Sequence, residues 1–254
     1  MRAVLDHAVI DVRDALDDAV SACERLGFFV TPPSENTFGS INRLCVFGNT
    51  YLELLAIGPR AVGAQRDRMA NPIGGNGLVF RSDDAAATAA DLAKRKIGAG
   101  DVRAFARPVE IAGAAAQARF ETVHVELPGA APLRSYFCRH FTPELIWRPE
   151  WSEHPNGALD IVGITIVAQN PAELGSWFAQ AFEGVEQRSD HWLIDAEHAW
   201  IDIRSADSFE DAFGYRPAPD GRNAAIHALT IATADAKRTT VVPQPGINVA
   251  IEFV

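Results

Sequence analysis

Two polar residues, His7 and Glu53, occur within stretches whose apolar residues predict β-strands. Period-two alternation places Tyr51, Glu53 and Leu55 on one face of the second of these strands. Because both faces of this strand are largely apolar, we expect it to be buried on both sides. A buried carboxylate must be paired, hydrogen-bonded or bound to a metal, unless Glu53 faces a solvent-filled groove. A histidine beside this carboxylate could act with it as an acid–base pair.

The strand that contains His7 begins a unit of one helix and four strands. Residues 5–12 form this strand, and the spacing of apolar residues predicts an amphipathic helix over 15–26. Another strand is expected from residue 28, and two more are expected within residues 42–57. These two flank Gly48-Asn49, a pair typical of two-residue hairpin turns. The unit is therefore strand, helix and three strands.

The same order of elements recurs along the chain. A second copy is predicted over residues 77–141 and a third over residues 159–204. A fourth, shortened copy covers residues 226–253 and includes an acidic helix start at Asp235. Residues 143–158, rich in Pro, Trp and charge, connect the two halves. Repeats of one supersecondary unit are the most informative global feature of this sequence.

The composition is that of an ordinary soluble globular protein. The chain has 254 residues, of which 48% are hydrophobic and 22% charged, and a net charge of −10. No basic run is present, which disfavours a nucleic-acid partner, and no window approaches a membrane-spanning length. The three cysteines are scattered and odd in number, as expected of reduced thiols. We therefore expect a cytoplasmic protein without a nucleic-acid or membrane partner.

Several short motifs together resemble the vicinal oxygen chelate superfamily, and more narrowly its glyoxalase-like domain branch. These motifs are Leu5-Asp6-His7, Gly39-Ser40-Ile41-Asn42-Arg43, Tyr51-Leu52-Glu53-Leu54-Leu55, the segment 138–147 and the segment 154–158. The resemblance implies an α/β fold with mixed sheets, in which paired βαβββ modules form two cup-like half-barrels. We assign the first pair of modules to residues 1–148 and the second pair, its last module shortened, to residues 149–254.

The resemblance also implies a metal site in each cup, with ligands from the first and fourth strands of each module. His7 and Glu53 match these positions in the first module. Residues Gly77 and Phe137 match them in the second module, and neither can bind a metal. In the second half the matching residues are Gly163, Asp202, Ala228 and Glu252, a set that contains no histidine. We therefore expect the working site in the first half and a scaffold in the second.

His140 is the candidate for a third metal ligand. Strict alternation would turn it away from the cup if Phe137 faces inward, so we expect an irregularity between Cys138 and Pro143 that redirects it. His7, Glu53 and His140 would then form a two-histidine, one-carboxylate set for a divalent ion, with Fe, Mn, Zn, Ni and Co unresolved. The alternatives are a hydrogen-bonded His7–Glu53 pair without metal and a metal-free catalytic pair.

The remaining candidates bind substrate. Asn42 and Arg43 lie at the entrance of the hairpin, and the planar guanidinium of Arg43 would clamp a carboxylate or enolate if it faces the cup. His124 lies on a strand, where it is either part of the core or of the cup, and Phe137 is expected inside the cup.

The function that these residues predict is catalysis on a small oxygenated organic molecule. With a divalent metal, the reaction would be an isomerisation, a lyase reaction or a ring-cleaving dioxygenation. The alternative from another class is a metal-free protein of the same fold that binds or sequesters a small molecule. Modules of this type often complete their cups by dimerising, so a homodimer is also expected from the resemblance.

Overall fold

The computed structural model describes residues 1–111, 113–235 and 239–254, apart from the side chain at position 64. Within these residues the strands, in chain order, are β1 (Leu5–Arg13), β2 (Ser34–Glu35), β3 (Ser40–Val46), β4 (Tyr51–Ile57), β5 (Gly74–Arg81), β6 (Arg103–Ile111), β7 (Ala114–Val125), β8 (Arg134–His140), β9 (Ala158–Ala168), β10 (Val185–Gln187), β11 (His191–Ala196), β12 (Ala199–Arg204), β13 (Ala224–Thr233), β14 (Thr239–Val241) and β15 (Ala250–Phe253). The α-helices are α1 (Leu16–Arg25), α2 (Ala64–Asp67), α3 (Ala85–Lys94), α4 (Pro171–Ala181) and α5 (Ala206–Phe213).

The predicted repeat of strand, helix and three strands is present three times. It consists of β1-α1-β2-β3-β4, then β5-α3-β6-β7-β8, then β9-α4-β10-β11-β12. Side chains cap two of the three helices in these repeats: Asp84 accepts a hydrogen bond from Ala87 N at 2.8 Å, and Asn170 accepts one from Glu173 N. The fourth unit is shortened, as predicted. The helix that the sequence analysis expected to start at Asp235 falls on residues 236–238, which lie outside the described residues.

The strands form one mixed sheet that curves into two cups and does not close into a barrel. In the first cup the strand order is β2-β3-β4-β1-β5-β8-β7-β6, and in the second it is β10-β11-β12-β9-β13-β15-β14. The first and fourth strands of a module are parallel neighbours, as in β1 with β4 and β5 with β8. Pairing of Ile226 with Gly75 joins the two cups. This is the mixed α/β fold that the sequence predicted.

The main hydrophobic core lies on the helix-covered side of the sheet and includes residues of both halves. Phe80 and Phe137 of the first half pack against Phe178 and Phe182 of the second, with centroids 4.7 Å apart for Phe80 and Phe182. The two halves therefore share one core. The inner face of the first cup has a separate apolar cluster, and the short 3₁₀ turns of residues 143–151 pack against it.

Helix α5, which the sequence analysis did not predict, packs into the second cup. Its Phe209 is fully buried against Ala228 and Ala250 of the cup face, and it stacks on Phe213 at 4.4 Å. Ser205 caps the start of the helix, and Gly214 ends it with a left-handed backbone. Part of the second cup is thus occupied by the chain itself.

One local prediction was wrong. Residues 28–30 form no strand, because their backbone passes beside β3 and makes only isolated hydrogen bonds there, such as Thr31 N to Leu44 O at 2.8 Å. None of the described helices combines the length and apolar character that crossing a membrane requires.

Candidate functional site

A β-bulge in β1 turns two consecutive side chains toward the first cup. Leu5 pairs with Phe80 and His7 pairs with Val79, so that Asp6 is an extra residue in the ladder between β1 and β5. Side chains stop alternating at such a residue. Leu5 packs in the helix-side core, whereas the polar atoms of Asp6 and His7 both meet groups of the cup side.

The carboxylate of Asp6 is the centre of a buried hydrogen-bond network. Its Oδ1 accepts from His7 Nδ1 at 2.6 Å and from His140 Nε2 at 3.0 Å, and its Oδ2 accepts from Arg81 Nε at 3.1 Å. Burial alone would raise the pKa of Asp6, but the attraction of His140 and the hydrogen bonds from both histidines lower it well below its usual range. An ionised carboxylate only accepts hydrogen bonds, so both ring nitrogens that touch it carry protons.

His7 consequently presents its other ring nitrogen, Nε2, to the cup. This atom lies 3.2 Å from the hydroxyl of Tyr136 and 3.4 Å from that of Tyr51, whose ring stacks on the imidazole at 4.1 Å. Burial raises the pKa of both tyrosines well above the usual value, so their hydroxyls remain protonated donors. The sequence analysis named neither tyrosine as a functional residue.

Glu53 lies beside this group. Its Oε2 is 3.7 Å from His7 Nε2, which confirms the prediction that the polar atoms of the two residues come within about 5 Å in one cup. Its Oε1 accepts a hydrogen bond from Asn42 Nδ2 at 2.7 Å. Asn42, a predicted substrate-binding residue, therefore lines the cup and holds the Glu53 carboxylate in place.

The prediction of an irregularity between Cys138 and Pro143 was wrong. Strand β8 pairs with β7 without a break as far as His140, and its alternation places Tyr136, Cys138 and His140 on the cup side. Phe137 faces the helix-side core, so it lies outside the cup. The prediction was one residue out of register, and such a slip moves every side chain of a strand to the opposite face. The bulge that redirects a polar side chain occurs in β1 instead.

Arg43 also lies outside the cup. Its guanidinium donates to the backbone oxygens of Thr31 at 2.6 Å and Val30 at 3.4 Å. The cup contains other arginines that the sequence analysis did not single out: Arg68, Arg103, Arg107 and Arg134. Arg103 and Arg107 lie on β6 and Arg134 lies on β8, so period-two alternation along each strand could have assigned them to the cup face. Arg68 follows α2 in a segment without periodicity, so no such pattern marks it.

His124 lines the cup and stacks on Tyr136 at 4.7 Å. Burial and the nearby charges of Arg134, Arg103 and Arg68 lower its pKa to about 4. It is therefore neutral near pH 7, as a hydrogen-bonding or packing group of the cup.

These side chains surround a cavity of about 240 Å³. Among the residues that line it are His7, Asn42, Tyr51, Glu53, His124 and Tyr136. A cavity of this kind accommodates a small organic molecule, with convergent polar groups and an apolar wall, as ligand sites usually have.

The sequence profile of the glyoxalase-like domain matches residues 5–182, which is most of the chain. This chain belongs to the glyoxalase-like domain family. The match includes the whole of the first cup and the beginning of the second half. A search of curated proteins finds no match to this glyoxalase-like chain.

Solved structures share the fold at low sequence identity. A hypothetical protein from Staphylococcus aureus matches with a TM-score of 0.73 and 11% identity, over 99% of both chains. A xylose isomerase-like TIM barrel/4-hydroxyphenylpyruvate dioxygenase fusion protein matches with a TM-score of 0.59 and 11% identity, over 92% of this chain and 37% of that one. A variant of 4-hydroxymandelate synthase from Streptomyces coelicolor matches with a TM-score of 0.55 and 13% identity, over 92% and 72%. These likenesses establish the vicinal oxygen chelate fold.

The glyoxalase-like cup has only half of the metal site that the superfamily resemblance implies. His7 Nε2 and Glu53 Oε2 are close enough to share an ion. The facing module contributes Gly77, where a Cβ would lie 2.7 Å from Val9, and on β8 the buried Tyr136, whose hydroxyl stays protonated. Two ligands make a weak metal site, so these residues do not complete one.

A second group of donors lies behind His7. Among the described residues, the ligand atoms of Asp6, Cys138 and His140 lie within 4.8 Å of one another, and such a group could hold a metal ion. Asp6 and His140 are already joined by a hydrogen bond, and burial raises the pKa of the Cys138 thiol well above its usual value. Asp6 and His140 therefore form a hydrogen-bonded pair beside a protonated thiol, and the buried Nδ1 of His140 has no hydrogen-bond partner among the described residues. His140 hydrogen-bonds to Asp6, which in turn hydrogen-bonds to His7 Nδ1, so His140 lies on the side of His7 away from Glu53.

Proposed function

We propose that this glyoxalase-like protein is an enzyme that moves a proton on a small oxygenated organic substrate, as an isomerase or a lyase. The observation that supports this most directly is the hydrogen bond from His7 Nδ1 to Asp6. It fixes the tautomer of His7 and leaves the lone pair of Nε2 facing the cavity. A histidine held in this way by a carboxylate is arranged as a general base.

In the proposed reaction, His7 Nε2 removes a proton from a carbon next to a carbonyl group. The electron pair of the broken C–H bond moves onto the carbonyl oxygen, which becomes an enolate. The hydroxyls of Tyr51 and Tyr136 donate hydrogen bonds to this oxygen. An isomerase returns the proton to a different carbon, whereas in a lyase the electron pair expels a leaving group.

Glu53 supports the charge that His7 acquires. When Nε2 takes up the proton, the imidazolium lies between the carboxylates of Asp6 and Glu53, and attraction to both stabilises it. Asn42 keeps the Glu53 carboxylate oriented toward the cup by its hydrogen bond to Oε1.

Solvent exchange tests the proton transfer without the natural substrate. Pyruvate and phenylpyruvate carry exchangeable protons next to a carbonyl, and NMR in D₂O follows the loss of these proton signals. We expect the protein to accelerate exchange of at least one of the two above the buffer rate. His7→Gln should lower that rate by about 10²- to 10⁴-fold, the usual contribution of a general base. His198→Gln, at an exposed histidine, is the matched control. No acceleration, or equal rates in both variants, would contradict the proposal.

The same assay separates the two alternatives. A metal-dependent enzyme would use His7 and Glu53 with a third ligand from substrate or solvent, and its rate would fall in EDTA and return with Mn²⁺ or Fe²⁺. We expect the exchange rate to persist in EDTA. A protein that binds a 2-oxo acid but never accelerates its exchange would be a binding protein of the same fold.

A further inference from the structure

We infer that the first cup binds a small organic acid, whose anionic group is held by the arginines that line it. The inference rests on the proposed function, because it names the substrate class of that same cup. Four arginines and one carboxylate, Glu53, are among the described residues that line the cavity. The arginines are Arg68, Arg103, Arg107 and Arg134.

Arg107 is a buried cation that forms no ion pair with any described residue. It is 5% exposed and lies over the face of Phe120, with 5.8 Å between the guanidinium carbon and the ring centroid. Among residues 1–111, 113–235 and 239–254, no carboxylate lies within ion-pair distance of its guanidinium. Burial of a charge without an ion-pair partner is unfavourable, and burial lowers the pKa of Arg107, although attraction to the charge of Glu53 opposes this shift. An anion in the cavity would supply the missing partner.

Arg68 and Arg134 are held with part of their hydrogen-bonding capacity unused. Arg68 Nη2 donates to the Ser40 hydroxyl at 2.7 Å, and Arg134 Nη2 donates to Asp11 Oδ1 at 2.7 Å. The Nε atom of each is buried, and neither has a partner among the described residues. These two cations also repel each other, since the charge of Arg134 adds to the effect of burial in lowering the pKa of Arg68.

The charge of the cavity is opposite to that of the whole chain. Four arginines against Glu53 and the Asp11 that pairs with Arg134 leave a local charge of +2, in a protein of net charge −10. Such a contrast concentrates small anions in the cavity. A guanidinium binds carboxylate and phosphoryl oxygens through two parallel hydrogen bonds, so the anionic group is one of these.

One part of the cavity wall is aromatic. Phe105 stacks on Phe120 at 4.8 Å, and Phe38 lies 5.9 Å from Phe105. This wall suits a flat apolar body attached to the anionic group. A cavity of about 240 Å³ admits a single small molecule rather than a segment of polymer.

Equilibrium binding tests the inference with three probes of similar shape. Phenylacetate and phenyl phosphate carry the two candidate anionic groups, and phenylacetamide is the uncharged match for phenylacetate. By isothermal titration calorimetry at low salt, we expect at least one anion to bind at least 10-fold more tightly than phenylacetamide. Whichever anion binds more tightly identifies the group, carboxylate or phosphoryl.

Two arginine variants locate the binding. Arg107→Gln and Arg68→Gln should each weaken binding of the preferred anion at least 10-fold. Arg66→Gln, at an exposed arginine two residues from Arg68, should leave it unchanged. Thermal unfolding of each variant shows that it is folded, and Arg68, which is only half-buried, provides a second test if Arg107→Gln unfolds.

Three results would overturn the inference: no binding of either anion at millimolar concentration, equal binding of phenylacetate and phenylacetamide, or equal losses in the Arg68 and Arg66 variants. The result is independent of catalysis, because His7→Gln should still bind the anion. If an anion binds but proton exchange in D₂O is not accelerated, only the proposed proton transfer is contradicted. If proton exchange is accelerated but the cup binds anions no more tightly than phenylacetamide, only this inference is contradicted.

Discussion

At the scale of single residues, the site depends on which nitrogen of His7 carries a proton. Asp6 decides this, because its ionised carboxylate accepts hydrogen bonds from His7 and His140 together. His140 therefore acts behind His7 rather than beside Glu53, and it helps to keep Asp6 ionised in a fully buried position. The reactive face of His7 is left to Glu53 and the two tyrosine hydroxyls.

Replacement of Asp6 by asparagine tests this arrangement. The amide NH₂ of Asp6→Asn can donate a hydrogen bond to His7 Nδ1, which would favour the tautomer that carries its proton on Nε2 and cannot act as a base through that atom. We expect the exchange rate to fall by about 10²- to 10⁴-fold with little change in the affinity for the organic anion. Nitrogen-15 NMR of the His7 ring should show the change of tautomer, which a purely structural role would not produce. Asp101→Asn, at an exposed aspartate, is the control, and an unchanged His7 tautomer would contradict the role of Asp6.

At the scale of elements, the second half of the chain holds the hairpin that carries Glu53. Asp160 of β9 accepts hydrogen bonds from the backbone nitrogens of Asn49 and Thr50 at 3.0 and 3.1 Å, and from both of their side chains at 2.7 and 2.6 Å. His154 bridges the same region, since its Nε2 lies 2.8 Å from Val46 O. The turn between β3 and β4 is thereby fastened to the scaffold half.

Asp160→Ala should reveal how much this contact contributes. Its removal leaves the buried Thr50 nitrogen and hydroxyl without their charged acceptor, so we expect a loss of about 2–3 kcal/mol in the free energy of unfolding. Urea denaturation measures this change, and Asp101→Ala should alter the free energy by less than about 0.5 kcal/mol. A loss for Asp160→Ala no larger than that of the control would show that the turn is held by other contacts.

At the scale of the whole molecule, the two halves share a core but differ in what their cups contain. The first cup encloses a cavity lined by charged and aromatic groups, whereas α5 packs into the second and leaves a cavity beside Ala225 and His227. Both halves bury a neutral histidine on the cup side, His124 in the first and His227 in the second. Burial is the main cause in each case and lowers the pKa of each to about 4.

This burial predicts that acid destabilises the protein. In the unfolded chain a histidine has a pKa near 6.5, so between about pH 6.5 and 4 the unfolded state binds more protons, and stability falls as the pH falls. Each of the two histidines contributes up to about 3 kcal/mol to this loss. We expect His227→Gln to reduce the difference between the free energies of unfolding at pH 7 and pH 4.5, measured in urea. His198→Gln, at an exposed histidine, should leave the difference unchanged, and an equal pH dependence in both variants would contradict the prediction.

The sequence by itself determined the repeated order of strands and helices, without α5, and the convergence of His7 with Glu53. Both depend on local regularities, since apolar spacing distinguishes helix from strand and period-two alternation assigns the side chains of a strand to its faces. The short motifs around His7 and Glu53 also led to the family resemblance that the comparisons confirm.

Only the tertiary structure decided which other groups join the site. The bulge at Asp6 and the register of β8 depend on how each strand pairs with its neighbours, and a change of one residue reverses every side chain that follows. For that reason, alternation counted along the chain placed Phe137 on the cup side and His140 on the other side. In the structure, Phe137 faces the helix-side core and His140 faces the cup side. The arginines meet because the curved sheet brings β6 and β8 opposite the segment after α2, across a separation that no local pattern records.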